Sequence, residues 1–123
     1  MKREIITMSE YGKVTVPTNT ENVWMDEAEL LELFGVIAPT LRAAIKAVYK
    51  SGVLKPYEAE RYIKHPNGYG IDLYAQPMVV ALAFRIGTSN AERVRNALLE
   101  RLRLQKEKQV LLVSMGNNPS CGC

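Results

Sequence analysis

Two helical patterns meet at Gly35. "ELLELF", Glu29 to Phe34, runs into Gly35-Val36, and a second pattern restarts near Pro39 and continues to Tyr49. A glycine just past a helix takes the left-handed conformation that ends it. A proline fits the first helical turn, where its missing N–H needs no partner. Two short helices joined this tightly must bury their facing sides against each other. The segment therefore predicts a helix-turn-helix or a plain helical hairpin.

The first helix is expected to begin at Asp26, whose carboxylate can cap the free N–H groups. Glu29, three residues on, completes a capping box. Leu30, Leu31 and Phe34 give its apolar face. In the second helix Leu41, Ala44, Ile45 and Val48 recur at helical spacing, and Gly52 ends the element. Its other face carries Thr40, Arg42, Ala43, Lys46, Ala47 and Lys50. Four residues before the glycine, where the helices approach, a small residue is usual; here it is Leu31.

"ERYIKHPNGYGIDLY" then reads as strand, turn, strand, with Pro66-Asn67-Gly68 as the turn. A β-hairpin shortly after a helix-turn-helix is the arrangement of a winged helix. The wing would carry Arg61, Lys64, His65 and Tyr69 near its tip. At the N-terminus, "REIITM" and "KVTVP" flank "SEYGK" as a second hairpin turning at Gly12. "PTNTEN" reads as a loop and "NVWM" as a short strand. "PMVVALAFRIG" is nearly all apolar and is expected to be a buried helix. Ser89 and Glu92 form a capping box at the start of a long helix. Its stripe of Ala91, Val94, Ala97, Leu98 and Leu102 is a core face or a dimer surface. Arginines and lysines cover much of the rest. "QVLLVSM" continues as a helix end or a short strand.

The expected fold class is α+β: a winged helix-turn-helix-like domain with β-hairpins and a long C-terminal helix. One domain spans 1–113, with the helix-turn-helix at 22–52, the wing hairpin at 60–74, the C-terminal helices at 77–108 and a flexible tail at 114–123. At 123 residues the chain is large enough for a core without staples. Its 47% hydrophobic content excludes a disordered chain. No apolar run is long enough to span a bilayer. "MKREIITMSE" lacks a secretory apolar region, so a cytoplasmic location is expected. Cys121 and Cys123 cannot tie distant segments together. "CGC" reads as a soft-metal or oxidisable pair, or more simply as a frayed tail with two thiols.

Charge is uneven. Residues 1–35 hold seven acids and three bases, a net charge of −4, whereas the remainder holds thirteen bases and six acids, a net charge of +7. A basic portion set against an acidic one points to an anionic partner on one face.

"VWMDEAELLELFGV", "IKAVYKSGVL", "IDLY" and "ALAFRIGTSNAERVRNALLERL", in that order, resemble the RhuM family of bacterial virulence-associated proteins over about residues 23–102. The most specific part is Trp24 with Leu33-Phe34-Gly35-Val36 at the right separation. The resemblance implies a helix-turn-helix, DNA-binding-like module carried by bacteria, often on mobile or pathogenicity-associated DNA. This sequence departs from the family at Leu31, at Ala38-Pro39, where a polar helix start is usual, and at Val94-Arg95-Asn96-Ala97, where Phe-Arg-x-Trp is typical.

Enzyme chemistry has little to work with. His65 is the one histidine and sits in a turn; Asp72 has no evident acid–base partner. No histidine and cysteine share metal-ligand spacing, and no phosphate-cradling glycine motif occurs. Neither catalysis nor a cofactor is expected. For duplex DNA, a helix in the major groove must present side chains to phosphates and base edges. Arg42 and Lys46, four apart, share one face, and Arg42 could pair bidentately with a guanine. Thr40 and Lys50 would flank them, and Arg61, Lys64 and His65 of the wing would meet phosphate. Val94, Leu98 and Leu102 offer a homodimer surface. The alternative is a protein-interaction module that keeps the fold without the readout, since Ala43 and Ala47 make the outer face bland.

Overall fold

Two hairpins close with the same turn. Strands β1 (Thr7–Met8) and β2 (Val14–Thr15) pair antiparallel. The Ser9 N–H donates to the Lys13 carbonyl at 2.8 Å and the Gly12 N–H to the Ser9 carbonyl at 2.9 Å. Further along, His65 donates to Tyr69 at 2.7 Å and Gly68 to His65 at 2.9 Å. Each loop has three residues with a left-handed glycine last, Gly12 at φ +85° and Gly68 at φ +93°, as this hairpin type requires.

The structure is a computed structural model. It describes the backbone of residues 3–115 and side chains as far as Leu104. These residues form an α+β fold of five helices and two small antiparallel sheets. The second hairpin, β4 (Glu60–Lys64) and β5 (Gly70–Ala75), takes β3 (Trp24–Met25) onto the free edge of β5, giving the order β3-β5-β4. The expected short strand at "NVWM" is thus the third strand of the later hairpin's sheet. The N-terminus runs beside it: Glu4 bridges Val23, and Ile6 is fully buried.

Helix α1 (Glu27–Phe34) has both halves of the expected capping box, Glu29 N–H to Asp26 at 2.8 Å and Asp26 N–H to Glu29 at 2.9 Å. Gly35 ends it at φ +64°, its N–H on the Leu31 carbonyl. Helix α2 (Ala38–Lys50) carries Pro39 in its first turn. A short helix α3 (Pro56–Ala59), not expected, precedes β4. Helices α4 (Gln76–Arg85) and α5 (Ser89–Met115) complete the chain.

The core lies where α1, α2, α4 and α5 meet the sheet, around Leu30, Phe34, Leu41, Met78, Leu82 and Val94, all at 0% exposure. Full burial of side chains of this size stabilises by about 1.5–3 kcal/mol each relative to exposure. Among the described residues no polar side-chain atom is buried without a partner.

Several expectations are corrected. The buried face of α1 is Leu30, Leu33 and Phe34 rather than Leu31, which is half-buried at the edge of the core. The cap of α5 is Thr88, one residue before Ser89. Its hydroxyl accepts from the Ala91 N–H at 3.1 Å and donates to the Phe34 carbonyl at 2.7 Å, tying the start of α5 to the end of α1. Phe84 is about half exposed, although the rest of α4 packs inward through Met78, Val79, Leu82 and Ala83. "QVLLVSM" is a helix end: α5 runs to Met115, past the expected boundary at 113. Cys121 and Cys123 lie outside the described residues. Among the described residues no helix is long and apolar enough to cross a membrane.

Candidate nucleic-acid interface

Each residue of an α-helix turns the chain by about 100°. Arg42, Lys46 and Lys50, four apart, therefore form one slowly drifting stripe on α2, away from Leu41, Ile45 and Val48 in the core. Thr40 is exposed too but lies about 160° around the helix from Arg42 by the same rotation. The structure thus groups the three cations and leaves Thr40 on the far side.

The inner edge of that stripe faces carboxylates. The Arg42 guanidinium donates from Nε to Glu27 at 3.2 Å and from Nη2 at 3.0 Å, linking α2 to the first turn of α1. This contact holds the Arg42 pKa above its ordinary value. About two turns further along, the Tyr49 hydroxyl donates to Glu60 at 2.6 Å, joining α2 to β4. Burial, then this hydrogen bond, raises the Tyr49 pKa. Tyr74 on β5 is pushed up to about 12, first by burial and then by the nearby charges of Glu60, Asp72 and Glu27.

Alternation along the strands sorts the hairpin. Glu60 opposes Tyr74, Tyr62 opposes Asp72 and Lys64 opposes Gly70, so these share the face that meets α2. Arg61, opposite Leu73, is on the other face. There its guanidinium lies over the Trp24 ring, 4.7 Å from the centroid, a contact worth about 0.5–1 kcal/mol at an exposed site. Arg61 and Lys64 therefore do not act on one surface. Residues 64–70 are all exposed, and Lys64 and His65 stand at the tip. Among the described residues, Lys46, Lys50 and Lys64 have no carboxylate within ion-pair distance.

Four candidates thus fall on the outward side of α2 and the hairpin tip: Lys46, Lys50, Lys64 and His65. Arg42 joins them with part of its guanidinium engaged. Sequence reasoning missed Glu27 as the partner of Arg42 and Trp24 as the partner of Arg61. It also missed Tyr62, whose exposed ring packs over Gly70, the position where a Cβ would collide with it. A strand tyrosine diagonal to a glycine across the hairpin was the available signal.

The dimer stripe is corrected. Val94 is fully buried and Leu98 nearly so, both in this chain's own core, because that face of α5 packs on α1 and α4. Leu102 is exposed and lines an open groove of about 490 Å³ with Val80, Phe84 and Arg101 among others. The arginines of α5 are also accounted for. Arg95 donates to the carbonyls of Ala83 and Ile86 at 2.8 and 3.0 Å, capping the end of α4. Arg101 holds the carbonyls of Val16 and Pro17 at 2.7 and 2.9 Å. Arg93 reaches the Gly12 carbonyl at 3.4 Å, and Arg103 pairs with Glu100. Among the described residues, no group of three or more histidine, cysteine or carboxylate side chains is arranged to hold a metal ion.

Compared with protein-family models, curated proteins and solved structures, the chain matches none, so the RhuM resemblance rests on the quoted residues alone.

Proposed function

We propose that this chain is a DNA-binding protein of winged helix-turn-helix type, a transcriptional regulator or an accessory protein of a mobile element. In this reading α2 enters the major groove and the β4–β5 hairpin is the wing. One observation carries it: the stripe of Arg42, Lys46 and Lys50 runs along the outward side of α2, the helix that Tyr49 ties to the start of the hairpin, and the exposed hairpin tip bears Lys64 and His65. A helix of 13 residues is about 20 Å long, enough to cross the groove. Lysine contacts to phosphate fix the position of the protein without reading sequence.

The test is fluorescence-anisotropy binding to random duplex and to a pool of genomic fragments at ~50 and ~200 mM salt. Displacing several phosphate counterions gives a wide loss of affinity across that range. Steep salt dependence with enrichment of particular fragments is the expected result, and the enrichment is lost in Arg42→Ala with Lys46→Ala. No binding at the lower salt overturns the reading.

A second reading, a protein-interaction module or homodimer, is favoured by the groove between α4, α5 and the β2 region. It exposes Phe84, Leu102 and Leu104, each more than half accessible. Isolated exposed apolar side chains are ordinary; a contiguous group around a groove is the kind of surface that takes a partner. A dimer formed there also serves the first reading, since paired helices read half-sites one DNA turn apart.

A further inference from the structure

We propose that Glu27 is a positioning residue for Arg42, and that the oriented guanidinium reads one guanine in the major groove. The inference rests on the DNA-binding reading above and adds to it a base identity and the residue that enforces it.

The argument is one of donor geometry. Arginine carries five N–H donors in a rigid plane. Glu27 takes the side-on edge, one hydrogen from Nε at 3.2 Å and one from Nη2 at 3.0 Å. The end-on edge remains, with one hydrogen on Nη2 and those on Nη1. Two parallel donors of that spacing match the O6 and N7 acceptors of guanine, and no other base presents two acceptors at that place in the major groove. The Arg42 side chain is 67% exposed, and among the described residues Glu27 is its one hydrogen-bond partner.

Glu27 is itself held. It is the first residue of α1, directly after Asp26, whose capping box with Glu29 fixes the start of that helix. Glu27 and Arg42 are 15 residues apart and belong to different helices across the Gly35 turn. The pair therefore fixes the guanidinium in the frame of both helices. An arginine left to swing on its own stem would reach phosphates in many directions. One gripped side-on presents a single edge in a single plane, before DNA arrives.

Charge leads to the same division of labour. Beside the Glu27 carboxylate, Arg42 adds little to the net attraction for phosphate. Nonspecific affinity then comes from Lys46, Lys50 and Lys64, and discrimination from Arg42. Removing the Glu27 charge should therefore separate two quantities that removing a plain phosphate contact would lower together.

The experiment uses the full chain. A preferred duplex is selected from a randomised pool, and each guanine in it is replaced in turn by 7-deazaguanine, which lacks the N7 acceptor. At one position the wild type is expected to lose about tenfold in affinity. Glu27→Gln should reduce that ratio at least threefold while binding random duplex as well as the wild type or better. Arg42→Lys should abolish the ratio, because an ammonium cannot make the paired contact. Circular dichroism melts confirm that each variant folds, as expected for exposed side chains. If Glu27→Gln strengthens binding to every duplex and keeps the full ratio, Glu27 is merely a competitor for Arg42 and the inference falls. Insensitivity of the wild type to every 7-deazaguanine also overturns it, with the DNA-binding reading intact. A wild type that binds no duplex at low salt overturns both.

Discussion

At the scale of single residues, Gly35 makes a sharp test. Its φ of +64° lies in the left-handed region, and a Cβ there would stand 2.9 Å from the Asn90 amide nitrogen on α5. A non-glycine residue in that conformation costs about 1–2 kcal/mol. Gly35→Ala is expected to lower unfolding stability by at least that much in equilibrium urea denaturation, with the slope unchanged. A loss well under 1 kcal/mol would show that the turn relaxes without strain. Gly68 is the internal contrast: its φ is also positive, but a Cβ there meets nothing within 4 Å, so only the conformational cost remains. The parts played by Asp26, Glu29 and Gly35 were legible in the sequence because each acts on backbone groups within four residues, whereas the Glu27–Arg42 and Trp24–Arg61 contacts depend on which helix turn or strand register comes alongside. Nothing local in the sequence sets that.

At the scale of elements, the joint between α2 and the sheet is held by phenols. Tyr49 donates to Glu60 across the gap, and Tyr74 sits among Glu60, Asp72 and Glu27. A carboxylate beside a phenol favours the neutral O–H, and burial does so more strongly. The sign of the pH effect follows. An unfolded tyrosine ionises near pH 10, whereas folded Tyr74 stays protonated to about 12. Below pH 10 both states hold the proton and the contribution is complete. From pH 10 to about 12 only the unfolded state releases it, so folding stability falls through that window. Tyr49 is shifted in the same direction and extends the fall. Urea denaturation from pH 9 to 12 should show a shallower decline for Tyr74→Phe than for the wild type. Lysine ionisation affects both proteins alike, so the difference isolates the tyrosine. Superimposable profiles would mean that Tyr74 is not held neutral by this joint. The hairpin forming one side of the joint was legible from Pro66-Asn67-Gly68 and the alternation around it. The pairing of its third strand was not, because the short strand expected at "NVWM" carries no statement of what it pairs with.

At the scale of the whole molecule, charge was the least faithful guide. The basic surplus after residue 35 predicts a broad positive face, yet three of its arginines are tied to the protein's own backbone. Arg93, Arg95 and Arg101 donate to backbone carbonyls of loops and helix ends, so they act as clamps between α5 and the rest of the fold. A guanidinium has enough donors to satisfy several carbonyls at once, and a carbonyl leaves no trace in composition. Leaving these arginines aside, the exposed cations without a carboxylate at ion-pair distance among the described residues after 35 are Lys46, Lys50, Lys55, Lys64 and Arg85, and the proposed interface uses Lys46, Lys50 and Lys64. This gives a prediction in number rather than in sign. Each phosphate neutralised contributes about 0.9 to the slope of log affinity against log salt. Replacing the three lysines by glutamine should therefore make that slope shallower by about 2–3. Arg93→Gln should leave it unchanged, because that side chain sits at the β1–β2 turn, which the proposed interface does not use. The comparison uses random duplex, where base reading contributes nothing, and a titration from ~50 to ~200 mM salt resolves a change of this size. A slope that responds equally to Arg93 and to the lysines would mean that DNA meets α5 as well as α2. The clamps would then have to open on binding, and α5 rather than the hairpin would be the second contact surface.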